Sequence, residues 1–457
     1  MYPNQIGGNL PSNLNNIVQR NMLTRMWQDA LKAKLGYRDA ATKKSFAPGV
    51  GPKLIENRPG RLVANGSPIN PATITPLDSG VGTPYTYAME QYTRSVETYG
   101  NSVPDLDYMV DKLGVVDLFL QNTQNLAEQS QRSIDLSSRD TLFDAYMGQN
   151  TSVTVTLGAP SATIQVDDIR GFTLTFSNGL LQPTSPTNTQ NVRVGSNIYT
   201  LIGAAASGAP TQQFRAIPGT LTFSTNVTVL DGTQYNPVIS SVAPKILRPN
   251  GRKTTYALTL SDTLTLDTIL QAKSYLSANA IPPINGLYNC YLDSYTISQL
   301  YSDPRLVQLF QTTGFSSPEF GNAIIAQALG IRFITLDVTP QQRSFITQTP
   351  DVTINVDRAI VCGADCLIES RFEGAREVYA RLARQSGFYN VVNTNDIFMI
   401  TREPLDRLGR FLSQAWTYIG GFVAPTDSTV NQSIINTASN AYYKRAVVIE
   451  VASAATD

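Results

Sequence analysis

Histidine is absent from the 457-residue chain. Its absence removes the commonest general base, the commonest metal ligand and the side chain whose charge changes near neutral pH. Ser-His-Asp and Cys-His catalysis, HExxH zinc sites and facial triads are excluded with it. Cysteine is scarce, at Cys290, Cys362 and Cys366. An odd count with one CxxxC pair builds neither a disulfide framework nor a zinc knuckle, and reads as small buried apolar residues in a reducing compartment. Charged residues make up only 15% of the chain and sum to zero, against about 25% in ordinary soluble proteins. No run approaches the roughly 18 apolar residues of a membrane span, and MYPNQIGGNLPSN is no signal peptide. These absences predict a soluble protein made in the cytoplasm, with no membrane partner. No Walker A, GxGxxG or nucleophile-elbow motif occurs, and no residue is marked as catalytic, cofactor-binding or metal-binding.

Ser, Thr, Asn and Gln fill the surface in place of charge. A balanced, weakly charged exterior suits a subunit that packs against copies of itself. Against this background, Asp107 to Tyr146 holds one glycine, Gly114, and no proline. Met109, Leu113, Val116, Leu120, Ala127, Ile134 and Ala145 recur at helical spacing, widened by Val115, Phe119 and Leu126. Asp107 is the expected N-cap and Gly148 the expected stop. The spacing predicts a rod of roughly 55 Å. Its later half, with Gln129, Ser130, Gln131, Arg132, Ser133, Ser137, Ser138 and Arg139, is polar, so much of its girth is expected to face water or neighbouring copies. Two helices broken near Asn122–Asn125 are the other reading.

The flanks divide the chain into an N-terminal arm (1–48), a Pro/Gly-dense segment leading into a strand (49–100), the rod (101–150), an all-β insertion (151–255), an α/β region (256–385) and closing strands (386–457). Residues 1–53 net about +6. Arg20, Arg25, Lys32, Lys34, Arg38, Lys43 and Lys44 form a candidate basic arm toward nucleic acid or an acidic partner, with a solvated helix face as the other reading. From Gly171 to Pro244 only Arg193, Arg215 and Asp231 are charged, and alternating segments between turns predict strands. Asp262 is expected to cap a helix ending at Ala278, and Asp293 to cap a short one. Glu369, Arg371, Glu373, Arg376, Glu377, Arg381 and Arg384 are the densest charge cluster. They read either as a solvated helix or as inter-subunit ion pairs, where Arg is favoured for its bidentate fork. The closing strands, Ile397–Thr401, Ala415–Val423 and Ala446–Val451, are expected beside the rod and the strand before it.

Four segments carry a family resemblance. They are YTYAMEQYTRSVETYGNSVPDLD (Tyr85 to Asp107), AKSYLSANAIPPINGLYNCYLDSYTISQLYSDPRLVQLFQ (Ala272 to Gln311), GNAIIAQALGIRFITLD (Gly321 to Asp337) and PLDRLGRFLSQAWTYIGGFVAP (Pro404 to Pro425). In this order they resemble the major capsid proteins of tailed double-stranded DNA bacteriophages, in a short-tailed-phage subgroup. The resemblance implies an α+β, Hong Kong 97-type phage capsid fold: N-arm, extended loop, long spine helix with a peripheral-domain sheet, axial domain and closing strands. The stretch 151–255 departs from the family pattern and would be an added all-β module. The resemblance further implies pentamers and hexamers of an icosahedral head assembled in the host bacterial cytoplasm. Portal, scaffolding and decoration proteins would be partners, and the arm would touch packaged double-stranded DNA without reading its sequence. Some relatives cross-link through Lys and Asn side chains. Lys53 lies in the loop, but no catalytic Glu or partner Asn is marked.

Two rivals stay open. A tail or baseplate component would use the β-rich stretch as its active piece. A hydrolase would need paired carboxylates, for which Asp167–Asp168 and Asp365 with Glu369 are the only suggestive acids.

Overall fold

A computed structural model describes residues 36–49, 51–59, 89–103, 106–107, 118–177, 180–208, 216–306, 308, 327–336, 341–346, 352–382, 388–402, 411–425 and 444–454. In chain order the elements begin with strands β1 (Ala41–Phe46), β2 (Lys53–Pro59), β3 (Met89–Ser95), β4 (Glu97–Ser102) and β5 (Leu106–Asp107), then helix α1 (Leu118–Met147). A run of strands follows: β6 (Asn150–Ser152), β7 (Ser161–Val166), β8 (Leu174–Ser177), β9 (Leu180–Pro183), β10 (Gln190–Val194), β11 (Asn197–Ala206), β12 (Gly219–Val227), β13 (Pro237–Ser240) and β14 (Ile246–Leu247). Next come α2 (Leu266–Ala278), β15 (Tyr288–Leu292), α3 (Ser294–Tyr301), β16 (Gln327–Ala328), β17 (Ile331–Thr335), β18 (Gln341–Ile346) and β19 (Thr353–Cys362). The chain closes with β20 (Leu367–Phe372), α4 (Ala375–Leu382), β21 (Phe388–Thr394), β22 (Ile397–Arg402), β23 (Phe411–Val423) and β24 (Ala446–Ala454). None of the described helices is long and apolar enough to cross a membrane.

The described residues fall into two compact units. The first holds those within Met1–Leu54, Thr93–Arg139 and Ile368–Val423, the second those within Ile55–Tyr92, Asp140–Leu367 and Ala424–Asp457. In the first, the 13-residue β23 is the axis of a seven-stranded sheet ordered β1-β20-β23-β22-β21, with β4 and β5 also on β23. Successive parts of β23 pair with β22 and β20, while β4 pairs Glu97–Ser102 against Ala415–Gly420. The 420–421 glycine pair answers to this crowding. A Cβ on Gly421 would collide with the Ser95 carbonyl, which is backbone and cannot yield.

Helix α1 runs unbroken through 122–125 for 30 residues, about 45 Å. Thr123, Leu126, Ala127, Ser130, Ile134 and Ser138 form its buried stripe in the first unit. Leu126, Ala127 and Ile134 pack with Val392, Ile397, Met399, Trp416 and Tyr418. The polar half of the rod is therefore not simply left to water. Ser130 and Ser138 turn their hydroxyls onto the carbonyls three residues back, each at 2.8 Å, so they are buried at little cost. Asp107 is not a helix cap, because it lies in β5 and pairs with Phe411. The helix ends at Met147, just before Gly148 as expected, although Gly148 is not in the left-handed region. Gln149 is, at φ 63, and its amide donates to the Arg170 carbonyl at 2.8 Å.

In the second unit, six strands run in the order β6-β13-β10-β11-β12-β7. A bridge from Val153 to Val166 joins the two outer strands, with Thr154 N to Gln165 O at 3.0 Å beside it. The sheet thus closes into a small barrel with no open edge. Ile164, Val166, Phe172, Val192, Val194, Leu201, Leu221, Phe223 and Val238 fill it. Alternation in the near-uncharged stretch has this cause: inward positions are mostly apolar, and outward ones are mostly Thr, Ser, Asn and Gln, with Arg193 and Ile198 as exposed exceptions.

The other sheet of this unit is β14-β24-β19-β15-β17-β16, with β18 also on β19. Helices α2 and α3 cover it through Leu266, Ile269, Ala272, Leu276 and Leu300. Asp293 caps α3 in a reciprocal box with Thr296. For α2 the cap is Thr265, not Asp262. Asp262 is fully buried and bonded to Asn250, Arg252 and Thr259 instead. β20 pairs with β23, and β24 pairs along β19 rather than beside β4. Both are long-range pairings that local pattern does not encode.

Phe223 is 1% exposed at the centre of the barrel and meets Tyr199 edge-on. Phe223→Ala is expected to cost about 3–5 kcal/mol, read as a lower urea midpoint for the transition that reports on the barrel.

Candidate functional site

Glu369 sits on β20 with none of its side chain exposed. A buried carboxylate must be paired or protonated, and this one is paired. Arg38, on the 3-10 turn Tyr37–Ala40, reaches it with Nε at 3.1 and 3.2 Å and Nη2 at 2.6 Å. The Tyr418 hydroxyl donates to the same carboxylate at 2.8 Å. The Arg38 guanidinium lies 5.2 Å from the Tyr418 ring centroid and also donates to the Asn395 carbonyl at 3.0 Å. Burial pushes the Glu369 carboxyl up, but Arg38 and the Tyr418 hydroxyl outweigh it and hold the group below its ordinary value.

A second carboxylate holds the same turn. Asp135 on α1 accepts the Arg38 amide at 3.2 Å. A Cβ on Gly36 would collide with that carboxylate, so only glycine lets the backbone approach. Burial raises Asp135, against the amides of Arg38 and Tyr37. The two carboxylates therefore respond to acid in opposite senses. Falling pH removes the contribution of Glu369 and relieves the desolvation of Asp135.

Glu369 and Arg38, expected in separate charge groups, are bound to each other within the chain. Arg371 pairs with Asp396 across the same sheet, and Arg376 approaches Asp396 at 3.7 Å. Glu373, Glu377 and Arg381 are exposed at or on α4. Lys43 is exposed and Lys44 half-buried on β1. Arg384, Arg20, Arg25, Lys32 and Lys34 lie outside the described residues. Local charge density drew attention to the cluster, but Tyr418, Asp135, Asn395 and Asp396 were missed because each is brought in from a distant segment.

The second unit has a matching network. Glu450 on β24 lies directly opposite Arg358 on β19. It accepts from Arg358 Nε at 2.7 Å, Arg248 Nε at 2.7 Å and Thr255 Oγ1 at 2.9 Å. Burial would raise this carboxyl, yet Arg248 and Arg358 bring it down to about 2. The signal was visible as a lone acid inside the apolar run AVVIEVA. The acids considered for hydrolysis are likewise engaged. Asp167 bonds Thr151 and Ser152, Asp168 pairs with Arg170 at 2.8 Å, and Asp365 pairs with Arg445 at 2.8 Å. The three cysteines are buried and free. Among the described residues no group of three His, Cys, Asp or Glu side chains could hold a metal.

Glu369→Gln and Glu450→Gln each leave a buried guanidinium without its counter-charge, an expected cost of about 3–5 kcal/mol in urea titrations. Because Glu450 titrates lower folded than its ordinary 4.5, its contribution is complete above that pH and disappears as pH falls toward about 2. The fall in thermal midpoint across this acid window is expected to be shallower in Glu450→Gln than in the natural chain.

No family model matches the chain, and no curated protein matches it. Solved structures do. The cyanophage Pam1 capsid asymmetric unit is 12% identical, with 92% of this chain and 90% of that one covered at a TM-score of 0.50. The capsid of Ralstonia phage GP4 is 12% identical, with 93% and 92% covered at 0.47. The capsid of cyanophage P-SCSP1u is 10% identical, with 92% and 89% covered at 0.47. The Pam1 likeness shows a shared mixed α+β fold.

Proposed function

We propose that the chain is the major capsid protein of a tailed double-stranded DNA bacteriophage, with a Hong Kong 97-type fold. The observation that carries this reading is the fold shared with the Pam1 capsid chain over nine-tenths of both chains. The physical character of the chain supports it. Glu369 and Glu450 are engaged in internal pairs, only 15% of the residues are charged, and the net charge of zero opposes self-association with no long-range repulsion. The role is structural rather than enzymatic.

In this reading α1 is the spine helix and the β23 sheet the peripheral domain. The sheet around β19 and β24 is the axial domain. The β2–β3 ribbon is the root of the extended loop, and the closed barrel is an added module. Copies assemble into pentamers and hexamers of an icosahedral head in the bacterial cytoplasm, with portal, scaffolding and decoration proteins as partners. Arg20, Arg25, Lys32 and Lys34, with exposed Lys43, supply the basic inner face toward packaged DNA. The exposed Glu373, Glu377 and Arg381 remain the candidates for ion pairs between subunits.

The chain, produced alone and with the scaffolding protein of its phage, is expected to form capsomers and closed shells in electron micrographs and a fast-sedimenting boundary. A tail-like ring, or a discrete small oligomer under both conditions, would sink the assignment.

A further inference from the structure

Two Asn-Gly steps stand in tight turns of the second unit, and their surroundings are closely matched. Asn250 and Asn285 are both left-handed, at φ 54 and 50, and so are the glycines that follow, Gly251 at 68 and Gly286 at 86. Both asparagines are exposed. A Cβ on either glycine would meet nothing within 4 Å. Arg252 donates to the Pro249 carbonyl at 3.2 Å across the first turn, and Ile284 and Leu287 exchange amide-to-carbonyl bonds of 2.8 and 3.0 Å across the second. Such turns select asparagine and glycine because both tolerate positive φ.

The side chains differ. Asn250 Nδ2 donates to Asp262 Oδ1 at 2.6 Å. Burial pushes the Asp262 carboxyl up, but Asn250, Thr259 and Arg252 outweigh it and hold the group below its ordinary value, so the acceptor is a carboxylate. Asn285, among the described residues, has no side-chain hydrogen-bond partner.

An Asn-Gly step carries its own chemistry. The glycine amide nitrogen, once it has lost its proton to water, attacks Cγ of the asparagine. A new N–C bond closes a cyclic imide, the Cγ–Nδ2 bond breaks, and the side-chain nitrogen leaves as ammonia. Water then opens the ring. Attack at Cγ gives aspartate, and attack at the main-chain carbonyl gives isoaspartate, whose backbone runs through Cβ and Cγ. The sum is amide plus water to carboxylate plus ammonium, with no oxidant or reductant. Glycine offers this attack the least steric resistance. The asparagine side chain must swing toward the following nitrogen, so a partner that grips Nδ2 opposes the step. A hydrogen bond to a charged acceptor is strong enough to slow a step that breaks it at least tenfold.

We propose that Asn285 is a self-modification site, converted to aspartate and isoaspartate as the protein ages, and that Asp262 shields the otherwise equivalent Asn250. Each conversion adds one negative charge to a chain whose net charge is zero. The isoaspartate product also lengthens the connection between α2 and β15 by one main-chain carbon. The proposal stands on the second unit alone and is independent of the capsid reading.

The natural full-length chain tests it without a variant. Folded protein is held at mildly alkaline pH, where the amide loses its proton more readily, and sampled over days. Peptide mass spectrometry reads amide-to-acid conversion at each site, and methyl transfer from S-adenosylmethionine by an isoaspartyl methyltransferase counts isoaspartate. Conversion at Asn285 is expected to be at least tenfold faster than at Asn250. In guanidinium-unfolded chain, where Asp262 no longer grips Asn250, the two rates are expected to agree within threefold. Equal rates in the folded chain, faster conversion at Asn250, or no conversion at Asn285 while the unfolded chain reacts would each overturn the proposal. A tenfold difference that persists after unfolding would assign the contrast to local sequence and refute the shielding by Asp262.

Discussion

A carboxylate without access to water constrains the first unit more than any other group. Glu369 is reached by a guanidinium 331 positions earlier and by a phenol 49 positions later. The net gain from such a buried pair is small, but any arrangement that separates its members leaves a desolvated charge and is penalised heavily. The pair therefore acts less as glue than as a selector. It admits the fold in which the Tyr37–Ala40 turn, α1 and the β20–β23 pairing meet in one register. Asp135 and Gly36 tighten the same choice by leaving room for one backbone path only.

The second unit repeats the device on a different sheet. Glu450 and Arg358 face each other across adjacent strands, and a one-residue slip would send one of them to the opposite face. Nine consecutive paired positions from Ile354 to Cys362 make β19–β24 the longest continuous pairing among the described residues. Its register is fixed by charge as well as by hydrophobic alternation.

Much of the local structure could be read in advance. The helical spacing through Leu126 and Ile134, the Asp293 cap and the alternating barrel strands all follow from nearest-neighbour chemistry. Where reading failed, one of two causes applies. The first is polar residues whose burial is made cheap by a neighbouring carbonyl. Ser130 and Ser138 look like a wet face in sequence and lie in the packed stripe. The second is pairing over hundreds of residues. Nothing near Asp262 says that Asn250 and Arg252 will claim it, so it reads as a cap for the nearest helix. Likewise the charge cluster around Glu369 was visible, but its partner Arg38 was assigned to a different task because only the fold brings them together.

The closed barrel has a consequence for how such a chain changes over generations. It takes in backbone at β6 and returns it at β13, and these two strands are hydrogen-bonded neighbours, with Asn150 opposite Ile239 and Ser152 opposite Pro237. Entry and exit are therefore separated by one strand spacing, about 4.8 Å. Material between them can lengthen, shorten or be replaced wholesale, and the flanking segments experience the same short gap.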